Sequence, residues 1–210
     1  MEPKIFNGIF GRMYSFMTPF MRRVYGDVIR RMDIPKDREI SVLEIGSGDG
    51  AMASLMLASH PLIRRYTLVD PAETQLSIAR KKLARHTDRE IRYICSTVEE
   101  LQEVQGDYDY VISFASLHHW IDIARGFENC VRACKGTVIV IDGIKNRKYS
   151  DIYRAVRDIG GGHLVALFYW IGSRDALNED VLDGISLKVD FPVNVMKEHL
   201  IYEFRIEKGF

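Results

Sequence analysis

The stretch "SVLEIGSGDG", residues 41–50, decides how this chain is read. An apolar run, Val42-Leu43-Glu44-Ile45, ends in Gly46, Gly48 and Gly50 at alternate positions. A tight turn from a buried strand into a helix needs one glycine. Three let the backbone turn sharply and let a ligand lie against it, with the first N–H groups of the next helix facing that ligand. Asp70 closes a second apolar run, "YTLVD", about twenty residues further on. A carboxylate there can accept from both hydroxyls of a ribose, one on each oxygen. In one strand-helix-strand unit, the two signals indicate a cofactor that contains adenosine.

Outward from this unit, strand and helix signals alternate. "ISVLEI", "RYTLVD", "IRYIC", "YDYVISF" and "TVIVID" read as strands. "GAMASLMLAS", "AETQLSIARKKLARH", a short "VEEL" and "DIARGFENCVRAC" read as the helices between them. Near-continuous apolar strands alternating with helices predict a parallel sheet covered on both faces. Ligands of such sheets bind beyond the carboxyl ends of the strands. The loops that begin at Gly46, Asp70, Cys95, Ser113 and Asp142 are therefore expected on one rim.

Before the first strand, Met17, Met21, Val24, Tyr25, Val28, Ile29 and Met32 recur at helical spacing, with Arg22, Arg23, Arg30 and Arg31 on the wet side. After the fifth strand, "SDIYRAVRDI" and "SRDALNEDVLDGI" are expected to be helical, with "GGGHLVALFYWIG" between them as an insertion of undefined shape. The last stretch is expected to form two strands around a break at Pro192 or Asn194, the second being the alternating "IYEFRIEK".

The chain has 210 residues, enough for one large core, with 47% hydrophobic and 28% charged residues. Lys+Arg and Asp+Glu are both 29, which argues against a nucleic-acid partner. The longest apolar run, "LVALFYWIG", is about half a membrane span, so no integral membrane segment is expected. The N-terminus does not read as a secretory signal. Cys95, Cys130 and Cys134 lack metal-ligand spacing, so no metal is expected; Cys130 and Cys134 read as core thiols four apart on one helix. Three thiols suit a reducing compartment, and a cytoplasmic location is expected.

Which adenosine cofactor follows from Glu44. Starting at Gly46, the glycines formally permit a nicotinamide fingerprint with Ala51 at its third position. A carboxylate just before the loop would repel a pyrophosphate but would suit a ligand with a positive amino group. S-adenosylmethionine carries one.

The segments "VLEIGSGDG", "LVDPAETQLSIAR" and "YDYVISFASLHHW" resemble the successive motifs of class I S-adenosylmethionine-dependent methyltransferases, with the ubiquinone and menaquinone methyltransferases the closest type. The resemblance covers roughly residues 5–142. It implies a Rossmann-like, doubly wound, mostly parallel seven-stranded sheet with helices on both faces and a C-terminal antiparallel hairpin. It implies one methyltransferase domain over 1–210: an N-terminal helical lid over 1–36, a cofactor-binding half over 37–142, and a C-terminal half over 143–210 with a substrate-side insert near 160–184.

Carried over by position, Glu44, Gly46, Ser47 and Gly48 would line the methionine end of S-adenosyl-L-methionine. Asp70 would hold the ribose and Pro71 would lie against the adenine. Thr97 and Val98 would meet the adenine edge, although the family usually has Asp at the position of Thr97. Ser113 and Phe114 would sit near the transferring methyl, and Tyr14 matches a lid tyrosine. The Pro-Gly-Gly turn usual before the fifth strand is missing from "ACKGTVIVID".

Methyl transfer from a sulfonium is an in-line displacement, so alignment is the main requirement. A hydroxyl or carbon acceptor also needs a base, and His118 and His119 in "SLHHW" are the candidates, not separable by sequence. His163 is a weaker third. Phe6, Phe10, Phe16 and Phe20 with Met13, Met17 and Met21 suggest an apolar wall, and so a small apolar or aromatic acceptor. Two other readings predict different behaviour. A cofactor-binding regulatory paralogue would bind without turnover, and a nicotinamide-dependent oxidoreductase would bind NADH instead. One sequence gives no oligomeric state.

Overall fold

In the computed structural model, the described residues are 21–208 apart from 102, 103, 105, 175, 188 and 199. Tyr14, most of the expected lid and all four of its phenylalanines, Phe6, Phe10, Phe16 and Phe20, lie outside them. Seven strands form one sheet: β1 (Ile40–Ile45), β2 (Ile63–Val69), β3 (Glu90–Ile94), β4 (Tyr108–Phe114), β5 (Cys134–Gly143), β6 (Asn194–Lys197) and β7 (Ile201–Glu207). Their order is β3-β2-β1-β4-β5-β7-β6. The first five pair in parallel, and β7 pairs antiparallel with both β5 and β6. The winding reverses between β1 and β4, so the crevice for a ligand opens above those two strands.

Period-two alternation divides the strand residues between two cores. Val42, Tyr66, Leu68, Ile112, Ile139 and Ile141 face α1 (Arg22–Arg31), α2 (Ala51–Ser59), α3 (Glu73–Leu83), α5 (Tyr149–Asp158) and α6 (His163–Gly172). Leu43, Ile45, Val111, Val138 and Val140 face α4 (Ile123–Ala133) and the segment around α7 (Glu179–Asp183). Helices therefore cover both faces. Asp122 caps α4 by accepting from the Arg125 N–H at 3.1 Å, the cap expected of an Asp at that position. No described helix is long and apolar enough to cross a membrane.

The structure corrects four expectations. Cys130 lies on α4, but Cys134 opens β5, because the strand starts three residues earlier than the "TVIVID" pattern shows. The residues before Thr137, where the family usually has a turn, are strand instead. Gly136 is required there, since a Cβ would lie 2.3 Å from the Asp109 carbonyl oxygen. The helix expected in "SRDALNEDVLDGI" shrinks to α7, and the insertion before it is the regular helix α6. The hairpin turn lies between Lys197 and Ile201, where the Glu198 N–H donates to the Ile201 carbonyl at 3.0 Å, not at Pro192 or Asn194.

Candidate functional site

The carboxyl ends of the parallel strands converge on a cavity of about 370 Å³. Every strand-end loop expected on the rim contributes: Gly46 and Gly48, Asp70 and Pro71, Ser96 to Glu99, Phe114 to Ser116, and Asp142 with Gly143. Met21 and Tyr25 of α1, and Tyr169 and Ile171 of α6, complete the wall.

The glycine loop takes its shape from three left-handed residues, Gly46, Gly48 and Gly50, at φ 68°, 52° and 72°. Gly46 and Gly50 are packing glycines as well. A Cβ on Gly46 would lie 2.1 Å from Ser116 Oγ, and one on Gly50 would lie 2.9 Å from Ala79 Cβ. Gly48 differs, because nothing lies within 4 Å of where its Cβ would be. It borders open cavity, the feature expected of a loop against which a ligand rests.

Asp70 ties this loop to the next turn. Its Oδ2 accepts from the Gly48 N–H and its Oδ1 from the Ala72 N–H, both at 2.8 Å. Burial raises its pKa, against the lowering effect of those two N–H groups. Each oxygen keeps a second lone pair, so the carboxylate can still accept from a ligand on the cavity wall. Thr97 and Val98 line the wall on the β3 side, and Asn129 holds that loop by donating to the Val98 carbonyl at 2.7 Å.

Glu44 does not line the cavity. It shares a strand face with Val42, which directs it beneath the loop, where it is buried and accepts from the Tyr66 hydroxyl at 2.8 Å. Burial pushes its pKa up to about 8, against the hydrogen bond from Tyr66. The partner that the structure gives this carboxylate is therefore Tyr66. Ser47 and Ser113 are also buried outside the wall, and the hydroxyl oxygen of each lacks a hydrogen-bond partner.

On the opposite wall, Leu117–His119 forms one 3-10 turn directly after β4. Asp142, at the end of β5, accepts from the His118 backbone N–H at 3.0 Å and faces His118 Nδ1 at 2.9 Å. An Nδ1–H donated to this carboxylate leaves Nε2 as the basic ring nitrogen. His118 makes this carboxylate contact. His119 also lines the cavity, its ring 4.0 Å from that of His118. His163 is elsewhere, its ring 3.9 Å from that of Tyr153. Sequence reasoning missed Asp142 as the histidine's partner. The available signal was its strand-end position, the same one that exposed Asp70. Tyr169, in a run without polar periodicity, had no signal.

Parallel strands, a left-handed glycine loop beside open space and an acid closing the second strand make up the fold and the cofactor rim that class I S-adenosylmethionine-dependent methyltransferases share. Comparison with known proteins finds similarity to methyltransferases over part of the chain. Residues 42–137 match the family described as "Methyltransferase domain". Malonyl-[acyl-carrier protein] O-methyltransferase of Priestia megaterium is 34% identical over 88 residues, 39% of this chain and 30% of that protein. Ubiquinone biosynthesis O-methyltransferase of Methylocella silvestris is 29% identical over 124 residues, 54% of this chain and 45% of that protein. The non-reducing polyketide synthase ausA of Aspergillus calidoustus is 31% identical over 148 residues, 67% of this chain and 6% of that protein. The chain thus spans less than half the length of each of these relatives.

Among solved structures, a SAM dependent methyltransferase from Aquifex aeolicus shares the fold at a TM-score of 0.67 and 13% identity, covering 92% of this chain and 95% of that one. The plantazolicin methyltransferase BpumL in complex with SAH does so at 0.60 and 13% identity, covering 93% and 87%.

Proposed function

We propose that this protein transfers a methyl group from S-adenosylmethionine to a small, apolar or aromatic acceptor with an acidic O–H or C–H, and that His118 is the base. The observation that carries this reading is the His118–Asp142 contact on the wall of the cavity that Gly48 and Asp70 also line. In this reading the backbone at Gly46 and Gly48 holds the methionine end, Asp70 the ribose, Pro71 the adenine face, and Thr97 and Val98 its edge. When bound, the cofactor supplies a methyl group on a positive sulfur that becomes neutral on transfer. The remaining work belongs to the protein: to align the acceptor, to remove its proton, and to exclude water with an apolar wall.

Asp142 positions the imidazole, and Phe114 and Met21 give the wall its apolar character. The names of the relatives, O-methyltransferases and a polyketide synthase, support an oxygen-bearing small molecule as the acceptor.

Calorimetry with S-adenosylmethionine, S-adenosylhomocysteine and NADH, on wild type and Asp70→Ala, tests the cofactor half of the reading. Micromolar binding of both adenosyl compounds, lost in the variant, is expected. Binding of NADH alone would overturn it. Release of S-adenosylhomocysteine in an acceptor screen separates an enzyme from a binding paralogue that never turns over.

A further inference from the structure

Tyr169 sits on α6 at the cavity wall, with its hydroxyl over the start of the β5 loop: a Cβ on Gly143 would lie 3.4 Å from that oxygen. Among the described residues the hydroxyl makes no hydrogen bond. Neighbouring polar groups are already engaged. Ser116 Oγ accepts from Trp120 Nε1 at 3.2 Å, Ser173 Oγ donates to the Trp170 carbonyl at 2.9 Å, and Asp142 takes the Gly143 and His118 N–H groups. Burial, and after it the charge of Asp142, raise the phenol's pKa above its ordinary value, so the group remains a donor throughout the physiological range.

A base accounts for only half of the chemistry that His118 would begin. Removing a proton from a neutral acceptor leaves a negative charge beside the apolar side chains of Met21, Phe114 and Ala176, where an unpaired charge is costly. A fixed donor is needed where that charge collects. We propose that Tyr169 is this donor, binding the oxygen of the acceptor's conjugate base, and that the acceptor is therefore an oxygen acid, a phenol or an enolisable carbonyl, rather than an amine. An amine would develop positive charge and gain nothing from a hydroxyl donor. The inference rests on the methyl-transfer reading above.

The proton bookkeeping is closed. The acceptor's O–H or C–H bond breaks, its electron pair stays on the acceptor with the charge on oxygen, and the proton passes to His118 Nε2 and then to solvent. Tyr169 keeps its own proton throughout.

The test uses two probes of similar shape, 4-nitrophenol at a pH where it is ionised and nitrobenzene, which has no acidic oxygen. Both are titrated into protein saturated with S-adenosylhomocysteine, whose own binding is measured first on each variant. Wild type is expected to bind the phenolate more tightly than nitrobenzene. Tyr169→Phe is expected to weaken the phenolate roughly tenfold or more while leaving nitrobenzene and S-adenosylhomocysteine unchanged, as a lost hydrogen bond to a charged group requires. Equal weakening of both probes, no weakening of either, or no phenolate binding by wild type overturns the assignment. Failure to bind S-adenosylhomocysteine would instead remove the methyltransferase reading on which it rests.

Discussion

The Tyr66 hydroxyl donates to the Glu44 carboxylate at 2.8 Å, and both side chains are buried directly under the glycine loop. The folded protein thus keeps an acid in a place that disfavours its charge, with a pKa near 8 against an ordinary value of 4.5. A proton is held more tightly in the folded state than in the unfolded chain. The stability this confers is complete below about pH 4.5 and is lost as pH rises, until Glu44 ionises near pH 8. The slope is at most about 1.4 kcal/mol per pH unit, or roughly 3 kcal/mol between pH 5 and pH 7.5. Glu44→Gln removes the titration but keeps an acceptor for Tyr66. Denaturant midpoints are therefore expected to show the variant gaining on wild type steadily from pH 5 to pH 8, then levelling off. Parallel curves would mean that Glu44 is ionised in the folded state.

Gly46 and Gly48 look alike in the sequence and differ in the fold. Alanine at Gly46 meets both left-handed strain and Ser116, at 2.1 Å from Oγ and 2.4 Å from Cβ. The expected loss is about 3 kcal/mol or more, partly restored by adding Ser116→Gly. Alanine at Gly48 meets open space, so only the strain of about 1–2 kcal/mol remains. Its methyl group would instead fill the space over the loop. Gly48→Ala is expected to fold nearly normally and to lose S-adenosylhomocysteine affinity at least tenfold. A Gly48→Ala protein that binds as wild type does would show that no ligand rests on the loop there.

The thiols offer a simple check of the second core. Cys130 and Cys134 are buried and burial raises both pKa values, whereas Cys95 is exposed. Alkylation of the native protein is expected to modify Cys95 alone, with the other two reacting only in denaturant. Rapid native labelling of Cys130 would contradict the packing of α4 on β4 and β5.

What the sequence made legible were features with a local period or a local steric demand. Five strand ends and their shared rim followed from alternation, and the glycine loop and Asp70 from the conformations and acceptors a nucleotide requires. What it concealed depends on distant partners. The direction of Glu44 follows from which face of β1 meets Tyr66, a residue of the neighbouring strand. The carboxylate that His118 contacts is that of Asp142, more than twenty positions later on β5. β5 reaches back to Cys134 because that residue pairs with Tyr108 of β4, and Gly136 passes too close to the Asp109 carbonyl for any side chain; neither contact leaves a trace in the "ACKG" stretch. The hairpin turn was misplaced because Pro192 is a strong local breaker, while the actual turn is fixed by pairing with β7.

Asp142→Asn tests the histidine directly. In wild type the carboxylate accepts from two backbone N–H groups, those of His118 and Gly143, and faces His118 Nδ1. An amide of the same shape can keep one oxygen on the backbone but must present its NH₂ to some of these groups. If the NH₂ faces Nδ1, that nitrogen becomes the acceptor and the ring proton moves to Nε2, which then cannot take a proton from the acceptor. The fold survives because the shape is unchanged, and the cofactor side of the cavity is untouched. With an acceptor in hand, kcat is expected to fall roughly 10²- to 10⁴-fold, with S-adenosylhomocysteine affinity changed less than about threefold. His118→Asn should cost about as much, and the double variant little more than either single one, because the two residues act as one unit. Full activity in Asp142→Asn would mean that the imidazole is not the base. Additive losses would mean that Asp142 acts on the acceptor by itself rather than through His118.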